Sequence, residues 1–190
     1  QSLAAVASAA VDLTPGFTER VVVTVQPASV TAGTPFSPAV TVALRDGFGN
    51  LCTGESSAVT ATLGNARGAA LLGTTTVNAA SGVATFSDLA VDRAALNYFL
   101  NIGSPGLFAA SSVSFDISAG APSRLAFLTP SSTQVAGGTM APAIRVAVVD
   151  DYGNLVATAS DTVDLSLGTN PTGATLNGTI EDVGGLPLIY

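Results

Sequence analysis

Two short stretches of this 190-residue chain bring acidic and amide side chains together: Asp46-Gly47-Phe48-Gly49-Asn50 and Asp150-Asp151-Tyr152-Gly153-Asn154. Side-chain oxygens at that spacing could ligate calcium, which makes Asp46, Asn50, Asp150, Asp151 and Asn154 the metal candidates of the chain. Calcium wants about six to eight oxygens, however, and neither stretch supplies more than two carboxylates. The structural reading needs less. An Asp closes a turn by accepting nearby backbone N–H groups, while Gly and Asn tolerate positive φ. On that reading the chain needs no cofactor. Phe48 and Tyr152 share a position in the two turns. They either pack over the end of a folded unit or serve as exposed contacts between units or with partners.

Other chemistry is poorly supplied. Carboxylates acting as acid and base must converge on one pocket. Asp88 and Asp92 flank Leu89-Ala90-Val91, and Glu181-Asp182 are neighbours, but strand geometry sends adjacent side chains to opposite faces. These read as solvated loop charges. Cys52 is the only cysteine, and the chain has no Lys, His or Trp. No intrachain disulfide can form, and a histidine triad or histidine metal site is impossible on this chain alone. Schiff-base chemistry and Lys–Asn isopeptide links are closed for want of an amine. Asn177-Gly178-Thr179 fits the glycosylation sequon, which in a Thr-rich chain reads as coincidence. No catalytic residue, and no enzyme, is expected.

Charge and hydropathy narrow the partners. Six Arg against 13 acids give a net charge of −7, and Arg20, Arg45, Arg67, Arg93, Arg124 and Arg145 are scattered along the chain. Nucleic acid is excluded, because its binding rests on cationic contacts to phosphate. No run approaches the roughly 18–20 apolar residues that span a bilayer, so no membrane span is expected. Ser2–Val11 reads as an apolar strand. Its Ala7-Ser8-Ala9 also has the small-residue form of a signal cleavage site, without a basic flank.

The elements that must position these residues follow from a period of two. Val40, Val42 and Leu44 alternate with Thr41, Ala43 and Arg45, and Val59, Ala61 and Leu63 with Thr60 and Thr62. Ile144, Val146 and Val148 repeat the first pattern, and Val163, Leu165 and Leu167 the second. Tyr98, Leu100 and Ile102, then Val113, Phe115 and Ile117, line further strand faces. Gly, Pro, Asn and Ser clusters separate these runs at short spacing, the pattern of a sandwich or barrel.

The chain also repeats itself. TVALRDGFGNL (41–51) returns as RVAVVDDYGNL (145–155), an offset of 145 − 41 = 104. In that register Gly33, Pro38, Val42, Asp46, Gly49, Asn50, Val59 and Leu63 meet Gly137, Pro142, Val146, Asp150, Gly153, Asn154, Val163 and Leu167. Cys52 meets Val156, so it stands in for an aliphatic residue. This is a duplication. A complete unit is expected over 21–118, a linker over 119–123, and a second unit over 124–190 that lacks its last strands. Residues 1–20 read as the closing strands of a preceding or neighbouring unit.

The order VxPxxxxAG, DxxGN, GTxxV and GVATF resembles bacterial immunoglobulin-like repeats of large secreted surface proteins, such as invasin- and intimin-like adhesins. It is carried by Pro27, Ala32, Gly33, Asp46, Gly49, Asn50, Gly73, Thr74 and Gly82–Phe86. The resemblance implies an all-β chain of tandem immunoglobulin-like antiparallel β-sandwiches in an extracellular or cell-surface setting. Function is then expected to be structural: a segment of a fibre, stalk or surface layer. Copies could join head-to-tail if residues 2–23 of one completed the sheet of residues 124–190 of the next. The alternative is an adhesin module that binds a surface glycan or host receptor.

Overall fold

The computed structural model describes residues 12–131, 133–160, 162–170, 172–178 and 188–189. The fold is all-β, with no helix among the described residues. In chain order the strands of the first unit are β1 (Thr18–Val25), β2 (Val30–Thr31), β3 (Val40–Asp46), β4 (Ala58–Gly64), β5 (Leu71–Leu72), β6 (Thr76–Asn78), β7 (Val83–Phe86), β8 (Ala90–Val91), β9 (Ala95–Gly103), β10 (Ala110–Ser111) and β11 (Phe115–Ser118). The second unit carries β12 (Arg124–Thr129), β13 (Arg145–Val149) and β14 (Leu188–Ile189).

Two sheets of the first unit face each other across one core. One has the order β1-β3-β7, the other β2-β11-β9-β4-β6 with β10 beside β9. The alternating runs supply the inner faces. Val40, Val42 and Leu44 of β3 and Val59 of β4 are fully buried, and so are Tyr98 and Leu100 of β9. Phe86 and Phe115 are buried among them, and Leu63 is half-buried against the same cluster. Phe36 meets Phe115 edge-on at 4.9 Å between ring centres. The Tyr98 hydroxyl, buried with its ring, donates to Arg93 O at 3.1 Å. Outside, threonines pair across strands, as Thr24 with Thr41 and Thr60 with Thr76.

Several expectations need correcting. The sandwich is not wholly antiparallel: β11 runs parallel to β2, with Ile117 opposite Val30. The first unit begins at Thr18 rather than residue 21, because Thr18 and Arg20 already pair with Asp46 and Arg45 of β3. A donor strand reaching to Val23 would therefore have to leave its own sheet. Residues 1–11, the bulk of the expected closing strands, lie outside the described residues. Val113 is exposed, since β11 starts only at Phe115 and the Val113 N–H is taken by Gln26 Oε1. The run Val163–Leu167 alternates in burial at Val163 and Leu165 but is not a strand. In the first unit the matching β4 is held between β9 and β6, and no such partners occur among the described residues of the second.

The second unit repeats the first unit's pairings. Arg20↔Arg45, Val21↔Leu44 and Val23↔Val42 become Arg124↔Val149, Leu125↔Val148 and Phe127↔Val146, each residue shifted by 104. Even the irregularity before Val25 returns before Thr129. Ile144, Val146 and Val163 form its buried cluster, with Met140 and Leu165 against it.

The first core predicts a large and local effect of truncation. Phe86→Ala should lower unfolding stability by about 3–5 kcal/mol, as loss of a buried aromatic commonly does. Urea unfolding checks this. A loss below ~0.5 kcal/mol, the size of an ordinary surface effect, would contradict the core position of Phe86.

Candidate functional site

Strand β3 ends on Asp46, whose carboxylate is buried at 1% exposure and folds the next four residues around itself. Oδ1 accepts the N–H groups of Phe48 at 3.0 Å and Asn50 at 2.8 Å. Oδ2 accepts the Asn50 side-chain amide at 3.0 Å and the N–H of Gly16 at 2.9 Å. Gly49 closes the turn by donating to Asp46 O at 3.1 Å, with a φ of 90° that glycine adopts without strain. The first three donors are local. Gly16 is 30 residues away and belongs to the segment entering the unit.

Asp150 repeats the arrangement after β13. It accepts Tyr152 N at 3.0 Å and Asn154 N at 2.8 Å on Oδ1, then Asn154 Nδ2 at 2.9 Å and Gly120 N at 2.8 Å on Oδ2. Gly120 lies in the linker between the units, so each turn carboxylate clasps the peptide that leads into its own unit. Asp151 joins in: Ser123 Oγ donates to its carboxylate, and Arg124 donates to its backbone O at 3.1 Å.

The second turn also grips the first unit. Asn154 is almost buried, and its amide reads backbone across the joint. Its Oδ1 accepts Ala94 N at 2.9 Å, and its Nδ2 donates to Asp92 O at 2.8 Å. The Tyr152 ring lies over Gly33, where a β-carbon would sit 2.2 Å from Cε2 of the ring. The φ of 75° at Gly33 favours glycine, and a β-carbon there would displace the ring. Two contacts thus fix one unit on the other, the amide fork and the ring over glycine, while the clasp holds the linker between them short.

Of the three candidate calcium carboxylates, Asp46 and Asp150 are engaged as acceptors of N–H bonds, and Asp151 accepts the Ser123 hydroxyl. Their electrostatics follow. Hydrogen bonds from the Asn50 side chain and the Gly16 N–H, with those of Asn50 and Phe48, hold Asp46 down at about 2, against an ordinary 3.8. Burial pushes Asp150 up, but the bonds from Asn154, Gly120 and Tyr152 outweigh it and leave its carboxyl below the ordinary value. Asp88 and Asp92 do not converge. Asp88 takes the N–H and hydroxyl of Thr74, which lower its pKa, whereas Asp92 takes Ala70 N at 2.7 Å. Cys52 is buried with Sγ 3.8 Å from Gly16 O and Asn50 O. Glu181, Asp182 and Thr179 lie outside the described residues. No group of three or more His, Cys, Asp or Glu that could hold a metal occurs among the described residues.

Reading the sequence for side-chain chemistry missed Gly16, Gly120 and the Asp92–Ala94 backbone. The two glycines had a signal, since 16 + 104 = 120. The backbone at 92–94 had none, because a peptide group carries no side-chain identity.

The chain matches no family model and no curated protein. Among solved structures it is similar to a β-glucuronidase of Parabacteroides merdae, at 18% identity and a TM-score of 0.38. The match covers 52% of this chain and 12% of that one. A likeness of that size carries no argument about activity.

Asp46 predicts an acid dependence of known sign. Its pKa is lowered on folding, so its contribution is complete above its unfolded value near 3.8 and is lost as pH falls toward about 2. The urea midpoint should decline over that window. Asp46→Asn should lower the midpoint at pH 7 and shrink the decline; an unchanged acid profile in the variant would show that other carboxylates control it.

Proposed function

We propose that the chain is a non-enzymatic spacer: sandwich units set head-to-tail at a fixed angle in an extracellular fibre, stalk or surface layer. The supporting observation is the Asn154 amide, which takes both an N–H and a carbonyl of the first unit while Asp150 takes the linker Gly120. A flexible tether would need neither. Two directional bonds from one planar amide resist rotation about the joint, and the clasp stops the linker from lengthening. Such a contact uses different surfaces on its two sides, so it propagates head-to-tail along an array unless the rotation per step closes a ring. Copies of the chain associating head-to-tail, with residues ahead of Thr18 lent as a strand, would be one form of this array.

The residue inventory fits a passive role. Threonines cover much of the strand exterior, and the turn carboxylates serve backbone donors. The cleft at the joint, of about 340 Å³, is lined by Thr31, Thr34, Pro122, Ser123 and Asp151 among others. Its one hydroxyl–carboxylate pair, Ser123 with Asp151, ties the linker to the turn.

A distance measurement tests this reading. Spin labels at Thr62→Cys and Ser131→Cys, in a Cys52→Val background, would report the separation of the two units by pulsed dipolar spectroscopy. A single narrow distribution is expected, and Asn154→Ala should broaden it without unfolding either unit. A broad distribution in the parent would defeat the spacer reading.

A further inference from the structure

The end of the first unit that carries Phe48 and Asn50 is built like the joint, but among the described residues no second unit lies on it. At the repeat offset, Asp12, Leu13, Gly16, Arg20, Phe48 and Asn50 correspond to Asp116, Ile117, Gly120, Arg124, Tyr152 and Asn154. The clasp is already made: Gly16 donates to Asp46 as Gly120 does to Asp150. What differs is the outer face. Asn154 is 9% exposed because its amide is used across the joint, whereas Asn50 is exposed and its Oδ1 has no partner among the described residues. Phe48 is 93% exposed against 50% for Tyr152, which has Gly33 beneath it. Leu13 is 91% exposed, whereas Ile117, its counterpart in the closing strand β11, is 2% exposed.

We infer that Phe48 and Asn50 form the docking surface for a further sandwich unit of the same build as residues 18–118, in which the position of Leu13 is the counterpart of Ile117. The Asn50 amide takes that unit's backbone at the positions matching Asp92 and Ala94, and the Phe48 ring lies over its counterpart of Gly33. The inference rests on the spacer reading, since it extends the observed joint by one step. Its warrant is continuity with that joint: the same turn, the same clasp and the same register, with aromatic and amide groups in place on one side. A small polar ligand would leave Phe48 in water, and a charged partner would meet no charge at these two side chains. A unit of the same build satisfies both at once, burying the ring and pairing the amide.

The test adds the missing partner. A second copy of residues 18–118 is placed directly ahead of Pro15 in the chain, replacing residues 1–14, and hydrogen exchange is followed by mass spectrometry. Leu96→Val in the added copy separates its 92–96 peptide from that of the original unit by mass. The added copy's Ala94 amide should exchange at least about tenfold more slowly than it does when Asn50→Ala is introduced. Asn154→Ala should release the original Ala94 amide in the same molecule. If Asn154→Ala has no effect, the spacer reading itself fails. If Asn154→Ala acts and Asn50→Ala does not, the joint stands and this inference alone is overturned. A second measurement is independent of the added unit's folding: in the unaltered chain Phe48→Ala should leave the melting temperature unchanged. A clear drop would make Phe48 a packing residue of its own unit and overturn the inference.

Discussion

A buried carboxylate at the end of a strand organises this chain. Moving an ionised Asp out of water is unfavourable unless its oxygens are met by donors, and Asp46 and Asp150 each meet four. Three donors come from the turn itself, so the turn's conformation is set by the need to satisfy the charge. The fourth comes from the entering peptide. One charged group thereby ends a strand, closes a turn and fixes where the chain enters the sandwich.

Everything at the joint follows from that placement. With Asp150 holding Gly120, the turn that carries Tyr152 and Asn154 is pressed against the open end of the first unit. Asn154 is held from its own side by Asp150, which leaves its amide oriented to take backbone at 92 and 94. Side-chain amides are neutral and hold their geometry without counter-ions, so a joint of this type depends little on ionic strength compared with one built from ion pairs.

The two units also show what a strand owes to its neighbours. Val59, Ala61 and Leu63 form β4 because β9 and β6 complete their hydrogen bonds on either side. Val163 and Leu165 show the same inward pattern of burial without a ladder. The pattern of apolar residues selects which face turns inward. Pairing decides whether the backbone becomes a strand.

Much was legible from the residues alone. A period of two at Val40–Leu44 and Val59–Leu63 determined which side chains enter the core, because strand geometry admits only two faces. The repeated DxxGN pattern determined two equivalent turns, because an Asp with Gly and Asn after it can close on its own backbone. The tertiary structure alone decided the parallel contact of β11 with β2, the start of the first unit at Thr18 and the different fates of Asn50 and Asn154. Those outcomes depend on peptide groups brought together from distant parts of the chain, such as Ala94 with Asn154 or Ile117 with Val30. Local periodicity reports the face a side chain prefers, and it carries no record of which distant backbone will be there to meet it.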